Sequence, residues 1–379
     1  MNYSKNSYHL DVVLVGFTIF SMFFGASNFI LPIMIIKTNI YNVWFSFTGF
    51  LFSSILLPTI ALIVVLIFKG DYKLFLAPLG NLLSKIFIIA MMALFGSFGS
   101  LPRCISLTYE MFNFSFPSLN KIYFIASFCF LIFILSIDKV AIVNVIGKFL
   151  TPLLLMGIFL IIIIGLIKPV VATPLTQIAS NIQSFNNGLK TGALSMDLFS
   201  SLLFAGIITP SLLVIAKNFN DNNKKLVFLK LARNSTLIGM SLLMLIYLLL
   251  FVLAKKYFLI IKDVDNGQLV AVLADNILGK YGALISSTTV GLACLTTSIA
   301  LAVIFTEFVR KEIFKNTVSY KFVLAGVVFV AFFVAMLGVT LILELIQWFL
   351  IFLYPVALFL LIFHITKYLC TKRFNKSIS

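Results

Sequence analysis

Apolar runs of membrane-crossing length dominate this chain. They fall at 12–36, 43–68, 82–107, 120–138, 141–167, 192–216, 234–254, 281–309, 320–338 and 341–366, each about 20 residues or longer, as a helix needs to cross a bilayer core. With no water at that depth to satisfy backbone N–H and C=O groups, such runs must be helices or a closed barrel. Only 11% of the 379 residues are charged and 61% are hydrophobic, with a mean hydropathy of +1.15, which excludes an ordinary soluble domain. The expected fold is an all-α polytopic membrane protein of about ten transmembrane helices. No long polar linker divides it, so residues 1–379 read as a single transmembrane domain ending in a basic tail, 367–379.

The net charge of +16 would suggest nucleic acid in a soluble chain, so its placement matters. With the N-terminus inside, nineteen of the 28 Lys and Arg residues fall in inner loops and tails, among them Lys69, Lys73, Lys139, Lys148, Lys224, Arg310 and Lys372. That asymmetry predicts both termini on the cytoplasmic side. The basic excess is thus read as topology and attraction to anionic lipid, without nucleic acid. "MNYSKNSYHLD" lacks a basic leader and a small-residue cleavage site, so the first span is expected to stay attached. The polar loops 217–233 and 255–280 read as solvated connections, the second long enough for a short helix, "QLVAVLADNIL", to cap an entrance.

The first run carries Gly25-Ala26-Ser27-Asn28 near its middle. Non-helical backbone at membrane depth is tolerated where it lines a cavity or is buried in protein. Interrupted spans at corresponding places in two inverted halves mark a transporter's binding site. A short echo, "FSMFFGAS" at 20–27 against "FSSLLFAG" at 199–206, opens each five-span half, which suggests inverted repeats over 1–170 and 190–366. Unwinding at Phe24, Gly25, Ala26, Ser27 and Asn28, and at Phe204, Ala205 and Gly206, would then frame a substrate. Freed amides would hold a carboxylate and freed carbonyls a cation. The plain alternative is close helix packing at Gly25 and Ala26.

Asp197 is the acid most clearly inside a span, where an ionised carboxylate costs about 2.5–3.5 kcal/mol and calls for a partner. It is read as two turns before the second break, and a pair with Arg103, placed near the outer end of span three, would latch an outer vestibule. Binding the substrate ammonium, or a proton, is the rival role for Asp197. Thr296, Thr297 and Ser298 form a hydroxyl cluster in span eight, with Thr289 on the face of Thr296. Glu110, Glu307 and Glu344 lie near span ends, where snorkelling to water is easy. Cys104, Cys129, Cys294 and Cys370 show no paired or metal-like spacing, and His9 and His364 are far apart. A polytopic membrane enzyme, which would need clustered His, Asp or Glu, is therefore the least favoured class. No cofactor is expected beyond a coupling ion, Na⁺ or H⁺.

Several motifs resemble the branched-chain amino acid:cation symporter family. Phe24-Gly25-Ala26-Ser27-Asn28-Phe29-Ile30-Leu31-Pro32 is similar to its F-V-G-A-G-N-x-I-F-P-P signature. "GSLPRCISLTYE" matches A-T-P-R-T-x-x-x-S-F-E at Pro102, Arg103 and Glu110. "GALSMDLFSSLLFAG" and "LACLTTSIALAVIFTEFV" resemble its sixth and eighth spans, and "ELIQWFLIFLYP" is also similar. The resemblance covers nearly the whole chain. It implies a bacterial cytoplasmic (inner) membrane protein with the five-plus-five leucine-transporter fold, helices 1 and 6 broken. It also implies symport of leucine, isoleucine or valine with a monovalent cation. By the same resemblance a sodium ion would sit between Thr297, Ser298 and carbonyls of Met22, Phe23 or Gly25. Ser27 stands where the family usually has glycine, and Ile33 where it has a second proline. The chain ends after ten predicted spans where members usually have about twelve, a difference expected to spare the core.

Overall fold

In the computed structural model the described residues are 5–38, 42–137, 151–169, 180–217 and 224–376. Every regular element among them is helical. In chain order these are α1 (Lys5–Phe23), α2 (Ala26–Thr38), α3 (Val43–Ile67), α4 (Tyr72–Leu76), α5 (Gly80–Phe95), α6 (Ser100–Ser115), α7 (Lys121–Ile137) and α8 (Thr151–Ile167). Then come α9 (Asn181–Ala193), α10 (Asp197–Lys217), α11 (Lys224–Lys256), α12 (Phe258–Ile261), α13 (Leu269–Leu278), α14 (Gly282–Phe308), α15 (Tyr320–Ala335) and α16 (Val339–Lys376). Residues 141–150 of the fifth predicted span, Lys139, Lys148, the loop residues 218–223 and the final residues 377–379 lie outside the described residues.

Among the described residues, six helical stretches are long and apolar enough to cross a membrane, and the bent pair α1–α2 makes a seventh. Three shorter apolar helices, Lys121–Ile137, Met156–Ile167 and Tyr320–Ala335, lie on the fourth, fifth and ninth predicted spans. Local signals set several boundaries. Asp71 caps α4, its side chain accepting from Lys73 N at 2.8 Å, after a turn with positive φ at Lys69 and Gly70. Asn120 does the same for α7 through Ile122 N at 3.0 Å.

The helices form two packed groups. In one, α1 and α2 lie on α11, and α3 lies on α9 and α10; in the other, α6 lies on α14 and α7 on α15. Each group thus mixes helices from both halves of the chain, and α2 touches α6 and α14 across the boundary. Small residues permit the closest crossings, as expected where lipid supplies no hydrophobic drive between helices. A Cβ at Gly188 on α9 would fall on the Ser46 carbonyl of α3, and one at Gly49 on the Phe185 carbonyl. Gly239 on α11 approaches Gly16 O of α1 in the same way, at 2.7 Å from an added Cβ.

Two sequence expectations are corrected here. The 255–280 loop is not a plain solvated connection: α13 buries Leu269, Ala271, Leu273 and Ala274 against α14, and Lys37 donates to Val264 O and Asn266 Oδ1 beneath it. Glu110 does not snorkel to water. Its Oε1 accepts from Val339 N (2.8 Å) and Ser106 Oγ (3.4 Å), capping α16, and Gly267 of the outer loop packs on its carboxylate. Glu307 pairs with Lys311 at 3.2 Å, and Glu344 is exposed.

Candidate functional site

Three helix breaks meet in the interior. The first separates α1 from α2 at Phe24–Gly25, with a 63° bend. Asn28 stabilises it: its backbone N donates to Gly25 O (3.1 Å) and its Nδ2 to Phe23 O (2.9 Å), while its Oδ1 accepts from Ser27 Oγ (3.0 Å). Carbonyls freed by the bend at Phe23 and Gly25 therefore each have one partner, and a carbonyl has a second lone pair. Ser27 and Asn28 are both buried. The second break is Leu194-Ser195-Met196 between α9 and α10, where Met196 takes φ +62°. A third, the turn 96–99, divides the expected span 82–107 into α5 and α6.

This geometry moves the second break away from Phe204, Ala205 and Gly206. Those residues lie in the uninterrupted helix α10. The echo of "FSMFFGAS" in "FSSLLFAG" therefore pairs a broken segment with an intact one. Gly206 packs on the 68–71 turn, a Cβ there lying 3.2 Å from Gly70 O, and Ala205 O backs onto the same turn. Phe204 still reaches the first break: its ring meets Phe23 edge-on at 5.1 Å. Phe24 stacks on Phe20 at 5.2 Å and meets Phe29 edge-on at 4.9 Å. An aromatic wall thus lines the end of α1.

Arg103 joins all three breaks. It stands in the first turn of α6, only 5% exposed. Nη1 donates to Leu194 O (2.8 Å), while Nη2 donates to Ser27 Oγ (3.2 Å) and Ser100 Oγ (3.4 Å). Ser100 Oγ in turn contacts Met196 Sδ at 3.4 Å. The expected Arg103–Asp197 pair is not formed: among the described residues no ion pair links them. Asp197, 3% exposed at the start of α10, instead takes a hydrogen bond from Tyr247 Oη at 3.2 Å, and its own N donates to Ser195 Oγ at 3.3 Å. Tyr247 is fully buried. The sequence reading passed over it, although a lone phenol in "LLMLIYLLLF" must find a partner in the membrane.

Span eight brings its hydroxyls to the first break. A Cβ added at Gly25 would lie 3.4 Å from Thr297 Oγ1, so α14 faces the bend there. Ser298 is fully buried and its Oγ has no hydrogen-bond partner among the described residues. Thr296 and Thr289 are differently engaged, bonding Ala293 O (2.9 Å) and Ile285 O (2.7 Å) of their own helix. Met22, half-buried in the last turn of α1, adjoins the same region. Thr297 and Ser298 are thus the cluster members left to face a ligand, and a buried hydroxyl without a partner calls for an explanation. Cys104, Cys129 and Cys294 are buried free thiols. Among the described residues no three His, Cys, Asp or Glu side chains gather as a metal site.

Residues 8–378 match the family described as "Branched-chain amino acid transport protein". The chain is 27% identical over 358 residues to the branched-chain amino acid permease BrnQ of Bacillus subtilis (strain 168), covering 92% of this chain and 80% of the permease. It is 28% identical over 368 residues to a protein named as a branched-chain amino acid carrier in Staphylococcus haemolyticus (strain JCSC1435), covering 91% and 79%. A similarly named protein of Staphylococcus aureus (strain USA300) is 27% identical over 385 residues, covering 96% and 84%. A match across nearly the whole chain, joined to a multi-helix membrane architecture with broken helices, fixes the assignment: the chain belongs to the branched-chain amino acid transport protein family.

Proposed function

We propose that this protein imports leucine, isoleucine or valine by symport with a monovalent cation, Na⁺, through alternating access. Counting the three shorter apolar helices as spans gives ten, in the order a five-plus-five inverted repeat over 1–170 and 190–366 requires. Spans one and six are then the α1–α2 and α9–α10 pairs. Under this reading the α1, α3, α9–α10 and α11 group rocks against the α6, α7, α14 and α15 group, around the breaks between them. The lysine and arginine distribution supports N-in, C-in insertion in a bacterial cytoplasmic membrane.

One observation carries the choice of cation: Thr297 faces Gly25 across the first break, beside a Ser298 hydroxyl with no hydrogen-bond partner among the described residues. Sodium favours several oxygen ligands with little residual water, which hydroxyls and helix-end carbonyls supply together. Met22, Phe23 and Gly25 are the nearest carbonyls by sequence. One co-transported charge gains roughly 2.3 kcal/mol per 100 mV, enough for about fiftyfold accumulation of a zwitterion.

A second reading rests on Asp197, whose buried carboxylate accepts from Tyr247 Oη and whose backbone N donates to Ser195 Oγ: proton coupling, with Asp197 as carrier. Uptake into proteoliposomes separates the two. An inward Na⁺ gradient is compared with an inward proton gradient at matched membrane potential. Na⁺-driven uptake lost in Thr297→Ala supports the proposal. Proton-driven uptake that loses its proton dependence in Asp197→Asn replaces it with the second reading. Absence of branched-chain uptake under either gradient refutes both.

A further inference from the structure

We infer that Arg103 binds the α-carboxylate of the transported amino acid, an assignment that rests on the amino acid transport reading above. The guanidinium is permanently charged and nineteen-twentieths buried at membrane depth. Such a charge is tolerated when it is paired. Yet every acceptor it meets is neutral: the Leu194 carbonyl and the Ser27 and Ser100 hydroxyls. Its Nε is buried and has no hydrogen-bond partner among the described residues. No carboxylate among the described residues lies within ion-pair distance; Asp197, whose charge reaches Arg103 only at longer range, has its carboxylate bonded by Tyr247.

A guanidinium offers five donors in a planar fork that matches a carboxylate bidentately. Here the fork is aimed at both main breaks at once, since Leu194 belongs to the second and Ser27 adjoins the first. A substrate carboxylate accepted at this place exchanges weak neutral acceptors for an anion and brings α6, α2 and the α9–α10 break into contact with one ligand. Ser27, which Arg103 bonds, follows Phe24 by three residues, and the Phe24 ring, stacked on Phe20 and edge-on to Phe29, offers apolar surface for an aliphatic side chain. Arg103 thereby selects for a free carboxylate, where a site built only of α2 amides would also accept a neutral oxygen.

The test is equilibrium binding of tritiated L-leucine to the purified full chain in saturating NaCl, competed by L-leucine and by L-leucinol, in which the carboxylate becomes a hydroxymethyl group. Wild type should prefer leucine by on the order of 100-fold, the loss expected when a buried charge pair is broken. In Arg103→Gln that preference should collapse towards unity, with leucinol affinity little changed; Arg103→Lys, keeping charge but not the fork, should fall between. A purely structural arginine would weaken both ligands alike and leave the ratio intact, which overturns the assignment. So does a wild type that binds leucinol as well as leucine, a result that stands even where Arg103→Gln fails to fold. Should wild type instead bind another α-amino acid with the same Arg103-dependent carboxylate requirement, the branched-chain reading falls and the Arg103 assignment holds. Binding of no α-amino acid refutes both.

Discussion

Gly188→Ala is a severe test of the packing described here, because chemically it adds only a methyl group. On α9 that Cβ would fall on the Ser46 carbonyl oxygen, with Ser46 C at 2.7 Å and Ser46 Cα at 2.9 Å. These are backbone atoms of α3 and cannot rotate away. Ordinary Cβ contacts begin near 3.4 Å, so relieving Ser46 C alone needs a separation of about 0.7 Å, and its carbonyl oxygen, which is nearer, needs more than twice that. Parting by that much forfeits a quarter to a half of each dispersion contact along the crossing, and overpacking costs about 1–3 kcal/mol. The same substitution at Gly326 on α15 meets nothing within 4 Å and gains the roughly 0.5–1 kcal/mol by which alanine exceeds glycine in a helix. Both variants share that propensity gain, so the expected gap between them is the overpacking cost, about 1–3 kcal/mol. Detergent-titration unfolding followed by tryptophan fluorescence measures it. Trp44 is well placed to report, lying on α3 against Phe251 at 5.1 Å. Equal stability of Gly188→Ala and Gly326→Ala would refute the close α3–α9 crossing.

Gly25→Ala should leave the fold near wild-type stability while placing a methyl group against Thr297, abolishing Na⁺-stimulated uptake; retained Na⁺ stimulation would count against a cation at that point. Asn28→Ala removes the donor to Phe23 O and the acceptor for Ser27 Oγ, and should destabilise by about 1–3 kcal/mol, since both partners stay buried; thermal unfolding of the purified variant reads this. Glu110→Ala deletes the cap on Val339 N and should cost about 1 kcal/mol, whereas Glu344→Ala, at an exposed position, should be neutral in the same assay. Tyr247→Phe strips Asp197 of its phenolic donor and should slow uptake more than it lowers the melting temperature if Asp197 serves transport.

How much of this was legible beforehand varies from one element to the next. Gly25 to Asn28 announced the first break because helix-breaking and hydrogen-bonding residues are adjacent there at membrane depth, although Gly25 and Ala26 alone would also suit close helix packing. Leu194 to Met196 carried no comparable composition. Leucine and methionine do not advertise a bend, and a positive φ at Met196 is set by the packing of α9 and α10 around it. A short echo therefore drew the second break to 204–206, where glycine serves a contact with Gly70 instead. Arg103 and Ser27 were each recognisable as polar and intramembrane, but the acceptor that joins Arg103 to the second break is a backbone carbonyl, which no side chain encodes.

Apolar run length and charge asymmetry alone determined that this chain is a multi-span helical membrane protein, because the bilayer's dielectric acts on each segment separately. The ordered motifs determined the family. Tertiary structure decided the rest: that three breaks converge, that the Asp197 carboxylate bonds Tyr247 and not Arg103, and that Thr297 faces Gly25. Those relations join residues tens to hundreds of positions apart, and helix packing, not local sequence, sets which atoms meet across a helix–helix contact.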